Sequence, residues 1–132
     1  MPKHFPSHLT DSTEPNHPQA LALVKKLMAI PGPSGRESKI ISAITQTLCR
    51  AGVPAVTIHT DQVHRRSRIG GEIGNLTVKL PGTFRAARRL LMAHVDTVPI
   101  CEGSQPVQRG RLIRSANPKT GLGADNRSGA AA

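Results

Sequence analysis

Aromatic side chains are almost missing from this sequence. It has no tryptophan and no tyrosine, and its 132 residues include only two phenylalanines, Phe5 and Phe84. Proteins that hold single-stranded nucleic acid by stacking need aromatic platforms, so the composition argues against that class. Any hydrophobic core has to be built from leucine, isoleucine, valine and alanine.

Cysteine is also scarce, since Cys49 and Cys101 are the only two. They form no Cys-x-x-Cys motif, and their spacing matches no zinc finger. One pair of cysteines in a chain of this length is not a disulfide framework. We therefore expect both to be reduced thiols of a cytoplasmic protein.

Long apolar runs are absent as well. No stretch approaches the length of a membrane span, and residues 1–8 lack the apolar region of a signal peptide. We therefore expect no membrane association. Residues 1–18 are polar and rich in proline, which predicts a mobile N-terminal tail. The tail contains His4, His8 and His17, and metal binding there stays open, although the spacing matches no helical or finger-type site.

Acidic residues are few, with 8 against 18 lysines and arginines, and the net charge is +10. Such an excess is typical of proteins that bind nucleic acid, but it also fits a solvated basic surface. Two arginine clusters could bind nucleic acid. They are Arg65, Arg66 and Arg68, and Arg85, Arg88 and Arg89. Because no recognition-helix motif occurs, we do not expect nucleic acid as the partner. A basic, non-catalytic binding module remains the alternative function.

Apolar periodicity predicts two helices. A stripe of leucine, valine and methionine marks a first helix over residues 19–30, and the prolines at 31 and 33 end it. Isoleucines and a leucine mark one face of a second helix over residues 36–50, followed by Gly52. Ser34 with Glu37 three residues later has the form of a capping box for the second helix.

Strand patterns follow the helices. Residues 53–60 and 76–80 alternate between apolar and polar side chains, and a short strand is predicted at Ile113. Residues 89–95 are more continuously apolar, which predicts a buried, central strand. The order of elements predicts an α/β fold, and it looks like the opening of a larger α/β domain.

The residues that could carry chemistry stand at the end of the third predicted strand and in a later turn. His94 and Asp96 follow the apolar run 90–93, and Asp125 lies in the glycine-rich segment 120–129. A carboxylate two residues from a histidine can fix the imidazole tautomer, and a histidine with a carboxylate can bind zinc. The simpler interpretation also stands, because aspartate in a glycine-rich turn is often only a turn former.

Several linked motifs resemble one family. The runs LMAHVDTVP (91–99) and TGLGADNRSG (120–129) look like the di-zinc metallopeptidase family that includes peptidase T, aminoacylase, succinyl-diaminopimelate desuccinylase and glutamate carboxypeptidase. The turn PGPSGRE (31–37) and the segment GGEIGNL (70–76) resemble that family's segments in the same order. The resemblance covers residues 19–132. A second family of di-zinc aminopeptidases, with a similar histidine and Asp-Asn arrangement, remains an alternative.

The resemblance implies a role for each motif residue. His94 would bind one of two Zn²⁺ ions, and Asp125 would bridge both. Asp96 would orient His94, and this is the residue we assign to catalysis. The peptide bond after Asp125 would be cis, whereas Asn126 departs from the acidic residue common at that position.

The resemblance also shows what these residues lack. The family's Glu-Glu pair, a further acidic ligand and a distant histidine have no counterpart here. Residues 19–132 would therefore be the N-terminal part of a three-layer catalytic domain with a mixed sheet flanked by helices. The lid or dimerisation domain would be absent, with a homodimer expected only for the full-length form. The complete enzyme would be a cytoplasmic aminopeptidase or tripeptidase acting on short peptides, and this chain alone would be inactive.

Overall fold

The structure is a computed structural model that describes residues 17–82, 85–87 and 89–132. Most of the predicted tail, both phenylalanines and Arg88 of the second arginine cluster lie outside the described residues. The last two residues of the predicted tail, His17 and Pro18, belong to the first helix instead. Proline is tolerated there because the first turn of a helix needs no N–H from it.

Two helices of equal length lie near the start of the described chain. Helix α1 spans His17–Ala29 and helix α2 spans Ser38–Arg50, so both predicted helices are confirmed. Each buries two apolar side chains, Leu27 and Met28 on α1 and Ile40 and Ile41 on α2. Gly52 follows α2 with a positive φ of 89°, a conformation that glycine adopts at little cost.

The start of α2 differs from the predicted capping box. Glu37 is the residue that precedes the helix, and neither it nor Ser34 caps the helix through its side chain. Glu72 does so from a distant loop, because its carboxylate accepts hydrogen bonds from the Ser38 hydroxyl and from the Ser38 N–H at 3.4 Å. A carboxylate from another segment satisfies the helix terminus, which leaves the Ser34 hydroxyl free for another partner.

The strands form two small antiparallel sheets instead of one mixed sheet. Strand β1 (Ile58–Thr60) pairs with β2 (Leu76–Val78), and β3 (Pro106–Arg109) pairs with β4 (Leu112–Ser115). The predicted strands at 53–60 and 76–80 are thus shorter than expected. The strand at Ile113 is confirmed, and a hairpin partner that the sequence pattern did not reveal lies before it. The mixed α/β class stands, but a mixed sheet does not occur in the described ranges.

The predicted strand at 89–95 is wrong for the described residues. No strand is assigned there, and the side chains of Leu90, Leu91 and Met92 are 80%, 93% and 83% exposed. An apolar run becomes a central strand only when neighbouring strands take its backbone hydrogen bonds. Among the described residues, the backbone pairing that lies nearest to this run in the sequence is an isolated parallel bridge between Pro33 and Thr97.

A short C-terminal helix completes the core. Helix α3 (Arg127–Ala131) packs against α1, which also contacts β3. The side chain at its first position, Arg127, is fully buried. This helix begins two residues after Asp125. No helix in the described ranges combines the length and apolar character needed to cross a membrane.

Candidate metal centre

The structure brings the three predicted site residues together. His94 Nδ1 lies 3.1 Å from Asp96 Oδ1, and His94 Nε2 lies 3.2 Å from Asp125 Oδ1, thirty-one residues later. One imidazole ring is thus flanked by a carboxylate at each nitrogen. The i, i+2 spacing of His94 and Asp96 accounts for the first contact, whereas the contact between His94 and Asp125 depends on the tertiary fold.

The two carboxylates cannot be equivalent partners of a neutral imidazole, which has one N–H and one lone pair. If Nδ1 donates to Asp96, then the lone pair of Nε2 faces the negative Asp125 carboxylate. A cation or a second proton between them removes that repulsion. Two ligand atoms on one tetrahedral zinc lie about 3.3 Å apart, which matches the separation of His94 Nε2 and Asp125 Oδ1. The donor pair therefore fits a metal ion.

The surroundings of Asp96 and His94 favour the charged form of each side chain. The Ser34 hydroxyl, and then the hydrogen bond and charge of His94, hold the pKa of Asp96 below its usual value, against the effect of burial. Desolvation lowers the pKa of His94, but Asp96 and Asp125 outweigh it, so the net pKa is raised. Asp96 therefore remains an acceptor for the Nδ1–H of His94, and Nε2 is directed at Asp125.

Ser34 is a site residue that the sequence did not reveal. Its hydroxyl donates to Asp96 Oδ2 across 62 residues of chain, so both oxygens of Asp96 have a partner. The turn that carries Ser34 is fastened to the Asp96 segment, because the Thr97 N–H donates to the Gly32 carbonyl at 2.9 Å. The local sequence pattern favoured a capping role, and no short-range signal indicates this longer contact.

Arg127 fastens the site to the core. Its Nε donates to the carbonyl of Val95, between His94 and Asp96, at 2.9 Å. Its Nη1 donates to the carbonyls of Leu27, at 2.6 Å, and Ile30. Because Arg127 follows Asp125 by two residues, it ties both ligand-bearing segments to the end of α1. Burial lowers the pKa of Arg127, and no carboxylate among the described residues pairs with it.

The glycine-rich turn brings Asp125 to the site. Gly123 has a positive φ of 73°, and Ser104 donates to the carbonyl of Leu122 at 2.8 Å. A Cβ atom on Gly121 would lie 2.6 Å from Cys101 Sγ, so a larger residue there would require the Cys101 side chain to move. The Asp125–Asn126 peptide bond is cis, as the resemblance implied.

The site opens onto a cleft of about 340 Å³. Its lining consists of residues from two segments: His94, Asp96, Thr97, Val98, Cys101, Leu122, Gly123, Ala124 and Asp125. The Asp125 side chain is 95% exposed, so a ligand can reach it from solvent. Within residues 17–82, 85–87 and 89–132, no group of three or more histidine, cysteine or acidic side chains is arranged to hold a metal ion. His94 and Asp125 are therefore a pair of candidate ligands, with Asp96 behind His94.

The remaining predicted features are placed as follows. Cys49 and Cys101 are free thiols, as expected. In the first arginine cluster, Arg65 and Arg66 belong to a short 3₁₀ helix, Val63–Arg66, and Arg68 lies in the turn after it; all three are exposed to solvent. The second cluster is described only at Arg85 and Arg89, which are also exposed. The described residues of the two clusters are not among those that line the cleft beside His94.

Comparison of the chain with models of protein families, with curated proteins and with solved structures gave no match.

Proposed function

We propose that this chain carries part of the metal centre of a zinc-dependent peptidase of the peptidase T type. His94 and Asp125 would be the ligands, and Asp96 would orient His94. The observation that supports this proposal is the imidazole held between two carboxylates, with Nδ1 3.1 Å from Asp96 and Nε2 3.2 Å from Asp125. Zinc bound there would activate a water molecule and polarise a scissile carbonyl.

The chain's own residues have distinct tasks in this proposal. Asp96 accepts the Nδ1–H of His94 and thereby keeps the Nε2 lone pair available as a ligand. Arg127 holds the backbone between them at Val95. The open cleft beside Asp125 would admit a short peptide. The proposed compartment is the cytoplasm.

The proposed centre needs more groups than the chain supplies. Catalytic zinc sites have three protein ligands and a water, whereas two are proposed here. The sequence contains no adjacent pair of glutamates to provide the general base. We propose that residues beyond these 132 supply both, so the chain alone binds zinc weakly and does not hydrolyse peptides.

Zinc titration by calorimetry tests the ligand assignment. The metal-free 132-residue protein should bind Zn²⁺, and His94→Ala and Asp125→Ala should each weaken binding by more than about ten-fold, the size of loss expected from groups that support metal ligands. His59→Ala is the matched control, because His59 is exposed on β1 and is not among the residues that line the cleft. Equal affinity in all four proteins would overturn the proposal.

A peptidase assay tests the proposal that the chain alone does not hydrolyse peptides. A tripeptide should remain uncleaved by the purified chain. Turnover that is abolished by a chelator and lost in Asp125→Ala would contradict the proposal that the base lies outside these residues. It would leave the ligand assignment intact.

A further inference from the structure

The hydroxyl of Ser34 and the carboxylate of Asp96 form a contact that no local pattern requires. Ser34 lies in the turn between α1 and α2, and Asp96 lies beyond the exposed run 90–92. The contact is the outer end of a chain of polar groups in which Ser34 donates to Asp96, Asp96 accepts from His94, and His94 faces Asp125.

The two oxygens of Asp96 are divided between these partners. Oδ2 accepts from Ser34, and Oδ1 lies 3.1 Å from His94 Nδ1. A carboxylate held at one oxygen loses its freedom to rotate about the Cβ–Cγ bond, a rotation that is otherwise broad for aspartate. The Ser34 hydroxyl therefore fixes the orientation of the Asp96 carboxylate, which in turn fixes the orientation of the His94 imidazole.

The turn that carries Ser34 is itself held in place. Thr97 donates to the Gly32 carbonyl through its N–H at 2.9 Å, and Pro33 and Thr97 form a parallel bridge. At the other side of the turn, Glu72 donates its N–H to the Gly35 carbonyl at 3.1 Å. Ser34 is therefore presented to Asp96 by backbone contacts on both sides, and the helix cap that would compete for its hydroxyl is supplied by Glu72.

We infer that Ser34 is a positioning residue for the metal centre, acting on His94 through Asp96. This inference rests on the proposed function, since it assigns Ser34 a task only if His94 binds metal. The expected consequence of removing the hydroxyl is a loss of zinc affinity without a loss of fold. Groups behind a metal-bound histidine typically change affinity by about 10–100-fold, and Ser34 is one step further out, so we expect about ten-fold.

The test uses three single variants of the whole chain. Ser34→Ala should weaken zinc binding about ten-fold, and Ser34→Thr, which keeps a hydroxyl, should restore it to within about two-fold. Space for the added methyl group exists because Ser34 is exposed. Ser42→Ala is the matched control. It removes an exposed serine hydroxyl on α2 that accepts a hydrogen bond from Gln46 within the same helix.

A double-mutant cycle separates positioning from general loosening of the turn. If Ser34 acts through Asp96, then Ser34→Ala should have no further effect on zinc affinity in the Asp96→Asn background. Nitrogen NMR of the zinc-bound protein provides a second readout. Wild type should show His94 coordinated through Nε2 with Nδ1 protonated, and Ser34→Ala should show a mixture of tautomers.

The outcomes distinguish the two proposals. If His94→Ala and Asp125→Ala weaken binding while Ser34→Ala binds as wild type does, the inference is overturned and the metal centre stands. If Ser34→Ala weakens binding equally in both backgrounds, Ser34 is a structural residue of the turn and the inference is again overturned. If none of the site variants changes zinc affinity, both proposals fall.

Discussion

The guanidinium of Arg127 donates a hydrogen bond of 2.6 Å to the carbonyl of Leu27, one hundred residues earlier in the chain. The same side chain also reaches Ile30 and Val95. It thereby joins the end of α1, the His94 segment and the start of α3 through three backbone carbonyls.

Removing this side chain should destabilise the protein strongly. Arg127→Met keeps most of the apolar stem but leaves three carbonyls without their donor, so we expect a loss of about 3 kcal/mol in the free energy of unfolding. Urea denaturation monitored by circular dichroism measures it. Arg50→Met, at an exposed arginine in the last turn of α2, should cost less than about 0.5 kcal/mol. Similar losses in the two variants would contradict the central role of Arg127.

Gly32 should tolerate no larger residue. A Cβ atom there would lie 2.7 Å from Arg127 Nη2 and 3.1 Å from Ile40 Cγ2, and both of those side chains are buried. We expect Gly32→Ala to cost about 1–3 kcal/mol of unfolding free energy, the usual effect of overpacking. Gly110→Asn is the control. Nothing lies within 4 Å of the Cβ position there, and asparagine tolerates its positive φ. Thermal denaturation of both variants should show a lower melting temperature only for Gly32→Ala.

The apolar run after the second arginine cluster provides a test of burial. Leu91 is 93% exposed and Leu27 is 2% exposed, although both are leucines in apolar stretches. Leu91→Ser should change the free energy of unfolding by less than about 0.5 kcal/mol. Leu27→Ala should reduce it by about 3 kcal/mol. A large loss for Leu91→Ser in urea denaturation would show that residues 89–95 are buried in solution, as the sequence pattern predicts.

Acid should destabilise the β1–β2 sheet through Asp61. Hydrogen bonds from the Val63 N–H, and then from the side chain and N–H of Asn75, lower the pKa of Asp61 from its ordinary value of 3.8. Because the folded pKa lies below the unfolded one, this stabilisation is present above about pH 4 and is lost as the pH falls through the folded pKa.

The measurement compares the free energy of unfolding at pH 6 and pH 3. The drop between the two should be smaller in Asp61→Asn than in wild type, since the variant has no carboxylate to protonate at this position. Glu102→Gln serves as the control, because Glu102 is exposed and meets Arg36 at 3.7 Å on the surface. An unchanged drop in Asp61→Asn would show that the carboxylate contributes nothing to this pH dependence.

Elements whose determinants are local were predicted well. The stripe that buries Leu27 and the stripe that buries Ile40 and Ile41 each give a helix by their own periodicity, and both helices are found. The i, i+2 spacing of His94 and Asp96 likewise gave their contact. The run at 89–95 failed for the opposite reason, because strand formation needs partners that the pattern of one segment cannot specify.

The candidate site likewise has features that the local sequence predicts and features that depend on the tertiary structure. The sequence by itself determined the candidate groups, namely a histidine with a nearby carboxylate and a second carboxylate in a glycine-rich turn, together with a resemblance that implies a role for each. Only the tertiary structure decided which groups meet. It brought Asp125 to His94, gave the hydroxyl of Ser34 to Asp96 because Glu72 caps α2, and buried Arg127 among carbonyls from distant segments. These contacts depend on the packing of whole elements, and hydrogen-bonding side chains take partners that the folded backbone brings within reach.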